Sequence, residues 1–168
     1  MKHKFRMTAR KKINVILAIL PLLVFLTACR TVPRLAPVDV TTKDWHVQQG
    51  QAIWKTSKSA PELAGDLFIA TNEQNGRTLV QFIKTPIPFV IAQTTTNSWQ
   101  IEIPVQKKFY SGRGHPPRRL AWFFVPKVLE GGTPPKPWTF EKHGENWKLE
   151  NKSRGEVIEG FLESAATK

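Results

Sequence analysis

The chain has 168 residues, a formal net charge of +12 and a single cysteine, and 40% of its residues are apolar. One cysteine excludes an intramolecular disulfide, while six Trp and ten Phe supply core material that a disordered chain lacks. Six basic residues, from Lys2 to Lys12, precede every acid, and the rest holds 19 basic against 13 acidic residues, +6, without a dense Lys/Arg block. That balance suits an anionic membrane surface or lipid head group better than nucleic acid.

Lys2, Lys4, Arg6, Arg10, Lys11 and Lys12 are followed by an apolar run from Ile13 to Ala28. A positive segment, a short apolar segment and small residues at its end predict a secretory signal over residues 1–28, too short to span a bilayer comfortably. The run stops at the lone cysteine, Cys29. By itself that residue reads equally as a buried thiol in a membrane anchor or as a free thiol of an exported protein. Leu26-Thr27-Ala28-Cys29, however, resembles the lipobox of bacterial lipoprotein precursors. The resemblance implies cleavage before Cys29, acylation there, and a cell-envelope location held by the membrane through that lipid. Arg30 stands where Asp often signals inner-membrane retention in such proteins, which implies the outer membrane, facing the periplasm.

Residues 29–44 carry Pro33 and Pro37 and no periodic pattern. They read as a tether extended by proline, or else as an arm lying on the domain. Residues 45–168 read as one antiparallel β domain. Gln51–Ser57 is β-prone, Leu63–Thr71 puts Leu63, Gly65, Leu67 and Ile69 on one face, and Asn75-Gly76 marks a hairpin into Arg77–Lys84. Pro86 and Pro88 predict a bend or edge before Phe89–Thr95. From Ser98 to Gln106, Trp99, Ile101, Ile103 and Val105 alternate with polar residues or proline, the period of a half-exposed antiparallel strand.

Tyr110–Arg119 reads as a glycine-bearing loop, with a helix near 117–130 entered at Pro117, kinked at Pro126 and ended by Gly131-Gly132. Its stretch Leu120–Val125 is apolar all round and must be enclosed. Trp138–His143, Asn146–Glu150 and Glu156–Leu162 complete the strands. The fold class is therefore mainly β, a curved antiparallel sheet enclosing or covered by a short helix.

Catalysis finds little footing. His46, His115 and His143 lie in unrelated settings with no HExxH spacing, and neither a nucleophile elbow nor a Walker loop occurs. Glu156 and Glu159 fall on opposite sides of a predicted strand and read as solvated charges. No enzyme, cofactor or metal site is expected. A binding site is the better expectation, with Trp99, Ile101, Ile103, Leu120, Trp122, Phe123 and Phe124 lining an apolar cavity. Arg113, Arg118 and Arg119 would form an anionic head-group rim, with Ser111–His115 offering backbone donors at a helix start. The same residues also fit a flexible loop with solvated arginines.

The order of lipobox, amphipathic strands, enclosed apolar helix and final strands resembles the LolB/LolA family of lipoprotein-handling proteins. That resemblance implies a half-barrel whose helices cover an apolar cavity for acyl chains. It implies as partners a lipid or lipoprotein acyl chain and a periplasmic carrier protein. The alternative is a non-catalytic assembly or structural lipoprotein of the envelope that binds another protein over a filled core.

Overall fold

The computed structural model describes residues 34–163. The signal 1–28, Cys29 and residues 30–33 lie outside them. The described strands are β1 (His46–Lys55), β2 (Leu63–Asn72), β3 (Arg77–Lys84), β4 (Ile87–Thr94), β5 (Ser98–Ile103), β6 (Lys108–Arg113), β7 (Thr139–His143), β8 (Asn146–Asn151) and β9 (Glu156–Leu162). All pair antiparallel in one sheet of order β6-β5-β4-β3-β2-β1-β9-β8-β7. The last strand returns to pair with the first, but β6 and β7 stay unpaired at the two edges, so the sheet is open. The only α-helix among the described residues is α1 (Val125–Leu129), preceded by a 3-10 turn at Ala121–Phe123. No helix among those residues is long and apolar enough to cross a membrane.

Register divides the sheet into two faces. Ala52, Trp54, Leu67, Ile69, Val80, Phe82, Val90, Ala92, Ile101, Trp147, Leu149 and Ile158 are buried on one, and the segment 120–129 is packed over them. This is the concave face. Where β1 meets β9, Gly50 and Gly160 permit the bend: a Cβ on Gly50 would run into the Phe161 carbonyl, and one on Gly160 into that of Gln51.

Four boundaries depart from expectation, each for a local reason. The helix expected near 117–130 is α-helical only over Val125–Leu129, where Pro126 sits in the first turn and kinks nothing. Pro86 and Pro88 do bend the chain, but Pro88 still pairs with Ile83 across a register shift. A strand can take a proline at such an irregularity because no ladder N–H is needed there. The loop expected over Tyr110–Arg119 begins as strand and is loop only from Gly114, since β6 runs to Arg113 and pairs with β5 along its length. The alternation expected through Val105 stops at Ile103, because Pro104 opens a 3-10 turn closed by Lys107 at φ 51°. Ile101 is 1% exposed whereas Val105 is 50% exposed.

Ile101→Ala is therefore expected to cost about 2–5 kcal/mol, and Val105→Ala less than about 0.5 kcal/mol. Urea midpoints measure both, and equal midpoints would contradict the strand end at Ile103.

Candidate functional site

The concave face is closed by aromatic rings from distant parts of the chain. Trp122 stacks on Phe82 at 5.1 Å between centroids with 23° between planes, and meets Trp54 edge-on at 5.5 Å. Phe82 also touches Phe89 at 5.8 Å, and Trp99 meets Phe123 edge-on at 5.7 Å. Such offset and edge contacts contribute about 0.5–1.5 kcal/mol each beyond area burial. The segment 120–129 thus sits as a plug in a trough, with Leu120 half-buried against the cluster and Ala121, Trp122, Phe123, Val125 and Leu129 inside it.

Of the expected cavity residues, Ile101, Trp122 and Phe123 are in this cluster and Trp99 and Leu120 pack against it, while Ile103 and Phe124 are half-buried. Trp54 and Phe82, which meet Trp122 of the plug, and Phe89, which meets Phe82, were not singled out by sequence reasoning. Trp54 and Phe82 do lie in phase with the apolar face of their strands, the one signal that points to them.

The expected arginine rim is dispersed. Arg113 ends β6, while Arg118 and Arg119 lie exposed in the turn before the plug, ahead of the first helical residue. With five residues in α1 there is no long helix whose dipole an anion would meet. Arg118 contributes through its carbonyl, which accepts the Trp138 Nε1–H at 2.7 Å and ties the plug's entry to the start of β7. Gly112 serves packing: a Cβ there would come within 2.5 Å of the Trp99 indole.

Two buried indole N–H groups, those of Trp122 and Trp147, have no acceptor. Trp122 and Trp147 are 2% and 3% exposed. An unpaired buried donor costs about 1–3 kcal/mol. Trp54 differs, since its Nε1–H donates to Glu156 Oε1 at 3.3 Å. Glu156 is buried, not solvated as its sequence position suggests, and burial pushes its carboxyl above the usual range. The Trp54 hydrogen bond and the Arg154 charge oppose that rise.

On the outer face a cleft of about 760 Å³ follows two cross-strand rows. One row is His143, Asn146, Phe161, Gln51 and Asp66, and the other is Glu141, Lys148, Glu159, Ile53 and Ala64. Ile53 and Phe161 give it an apolar floor, and charges of both signs surround them. No group of three or more His, Cys, Asp or Glu among the described residues is placed to hold a metal ion. No protein-family model matches this chain, and no curated protein matches it.

An acid whose folded pKa is raised loses stability as pH climbs from its ordinary value, 4.5, through the folded one. Glu156→Gln keeps an oxygen for Trp54 and removes the charge. The variant should gain on the wild type as pH rises above 4.5, the ordinary value, read as the difference in urea midpoints. A difference that does not change with pH would contradict the perturbed carboxyl.

Proposed function

We propose that this chain is a lipid-anchored envelope lipoprotein, held through Cys29 to the outer membrane on its periplasmic side, whose β domain binds the acyl chain of a lipid or lipoprotein. In this reading the domain is a non-catalytic receiver, and a periplasmic carrier protein delivers its cargo. The observation that carries the reading is the aromatic trough closed by a plug of only ten residues, 120–129. Pro116-Pro117 lead into that plug and Gly131-Gly132 lead out of it. A displaced plug would leave an apolar channel on the concave face. The unpaired Trp147 indole N–H on β8 would then find an acceptor in an ester or amide carbonyl of the ligand.

Moving an acyl chain through water costs about 0.8 kcal/mol per CH₂. Lipids crossing the periplasm therefore need a shielded apolar site, which this trough would provide. A second reading has its own observation, the outer-face cleft with its apolar floor and mixed charges. It makes the chain an assembly or structural lipoprotein that binds another protein there.

Labelled palmitate should appear on the wild-type protein and vanish with Cys29→Ser. One acyl chain holds a protein only marginally and two or more hold it stably, so the variant should also leave the membrane fraction. Native mass spectrometry of the full-length protein from bacteria should show bound lipid, and Trp122→Ala should change which chain lengths are retained. A lipid-free spectrum for both proteins would turn the assignment to the protein-binding reading.

A further inference from the structure

The two ends of the sheet differ in charge. At one end lie, in spatial order, the turns β5–β6 (104–107), β3–β4 (85–86), β1–β2 (56–62) and β8–β9 (152–155). These turns and their flanks expose Lys58, Lys84, Lys107, Lys108, Lys152 and Arg154. Two exposed acids stand at this end, Glu62, paired with Lys55 at 3.4 Å, and Asp66, which accepts from the Thr85 hydroxyl at 3.3 Å. At the opposite end the turns 73–76, 95–97 and 144–145 contain no Lys or Arg and carry Glu73 and Glu145. Lys43, Arg77, Arg113 and Lys142 flank that second end, where Asp44, Glu73 and Glu145 offset most of their charge.

Apolar exposure follows the same polarity. Among the described residues, the most exposed large hydrophobics are Ile87 at 51% and Val105 at 50%, both at the basic end. Neither is covered by another element, and each stands beside a lysine, Lys84 or Lys107.

The arm supplies a direction. The Arg34 guanidinium lies 4.6 Å from the centroid of Phe109, one residue past the β5–β6 turn and its Lys108. The Leu35 N–H donates to Gln100 Oε1 at 2.7 Å, and the Ala36 carbonyl accepts from Arg77 Nη2 at 3.0 Å. Arg77 opens β3 at the opposite end. The arm therefore runs from the basic end toward the other, with its Cys29-proximal side at the β5–β6 turn. Five residue steps separate Cys29 from Arg34. They reach at most about 18 Å.

We propose that the basic end of the sheet is the membrane-facing end. Its turns rest on an anionic bilayer surface, and Ile87 and Val105 enter the head-group region. The proposal rests on Cys29 as the lipid anchor. A short tether fixed at the β5–β6 turn holds that turn against the bilayer, the lysines match anionic phosphates, and the two exposed apolar side chains leave water. Exposed apolar residues beside Lys/Arg are the composition of an interfacial contact.

The test uses the full-length lipidated protein in vesicles of phosphatidylcholine with or without phosphatidylglycerol. An environment-sensitive fluorophore is attached at Gln106→Cys or, as the control at the other end, at Asn75→Cys. With phosphatidylglycerol present, the probe at 106 should shift to the blue and be shielded several-fold from an aqueous quencher, and the probe at 75 should not. Each basic residue at an anionic surface changes partition by about fivefold. Lys107→Glu with Lys108→Glu should therefore return the probe at 106 to the level seen at 75 while the anchor keeps the protein on the vesicle. Equal quenching at 106 and 75, or shielding untouched by the double charge reversal, would overturn the orientation. A free thiol at Cys29 in the unsubstituted protein would instead overturn the anchoring itself.

Discussion

The packing of Trp122, stacked on Phe82 and edge-on to Trp54, is the contact on which the rest of this domain depends. An open sheet of nine strands has a large apolar face and no second sheet to cover it. Ten residues do that work instead. Burying Trp122, Phe123, Val125 and Leu129 contributes about 1.5–3 kcal/mol each, or roughly 6–12 together. The unpaired Trp122 indole N–H costs about 1–3 kcal/mol of that. Burial wins, so the resting state is closed. An acyl chain of about sixteen carbons would recover roughly 13 kcal/mol from water at ~0.8 kcal/mol per CH₂. Under the proposed function, plug and acyl chain would be of similar magnitude, the condition under which one could replace the other without either being trapped.

The outer face is solved differently. Over β3 to β6 it is crossed by the arm, whose half-buried Leu35, Val38 and Val40 share it with the buried Leu79 and Gln93. Proline suits such an arm because it brings no N–H that needs a partner. The turn that follows is tied down by Asp39, which accepts from both the N–H and the hydroxyl of Thr41. Those two donors hold its carboxyl below the usual range. Beyond the arm, over β2, β1, β9, β8 and β7, the outer face stays open and forms the cleft. One sheet therefore has a covered apolar face on one side and an exposed cleft of mixed charge on the other.

What the sequence revealed and what it hid follow one physical division. Local signals carried well: the alternation of Trp99, Ile101 and Ile103 on β5, the Asn75-Gly76 hairpin and the enclosed run after Leu120 all have their cause within a few residues. The mainly β, curved sheet with a short helix over it followed from them. The features that were missed come from pairs far apart in the chain. Gly112 reads as loop flexibility until Trp99 is placed over it from the neighbouring strand. Glu156 reads as a surface charge until Trp54, 102 residues earlier, is found donating to it. The cleft is harder still, because Ile53, Glu159, Lys148 and Glu141 form one row only once four strands are in register. No window along the chain contains them.

An open sheet must also answer for its edges, which present unpaired backbone groups to any passing strand. β7 is five residues long and carries Glu141, Lys142 and His143 in its second half, with Pro137 two residues before its start. β6 is six residues long, begins with Lys108 and ends with Arg113, and its Gly112 lies under the Trp99 ring. Short length, charge and nearby proline are the devices by which natural sheets discourage edge pairing. Strand addition is consequently the interaction this domain is least built to accept. What its geometry leaves open is the two faces and the basic end. Under the proposed function, binding there would draw on side-chain chemistry, apolar in the trough and charged at the turns, and not on the backbone ladder.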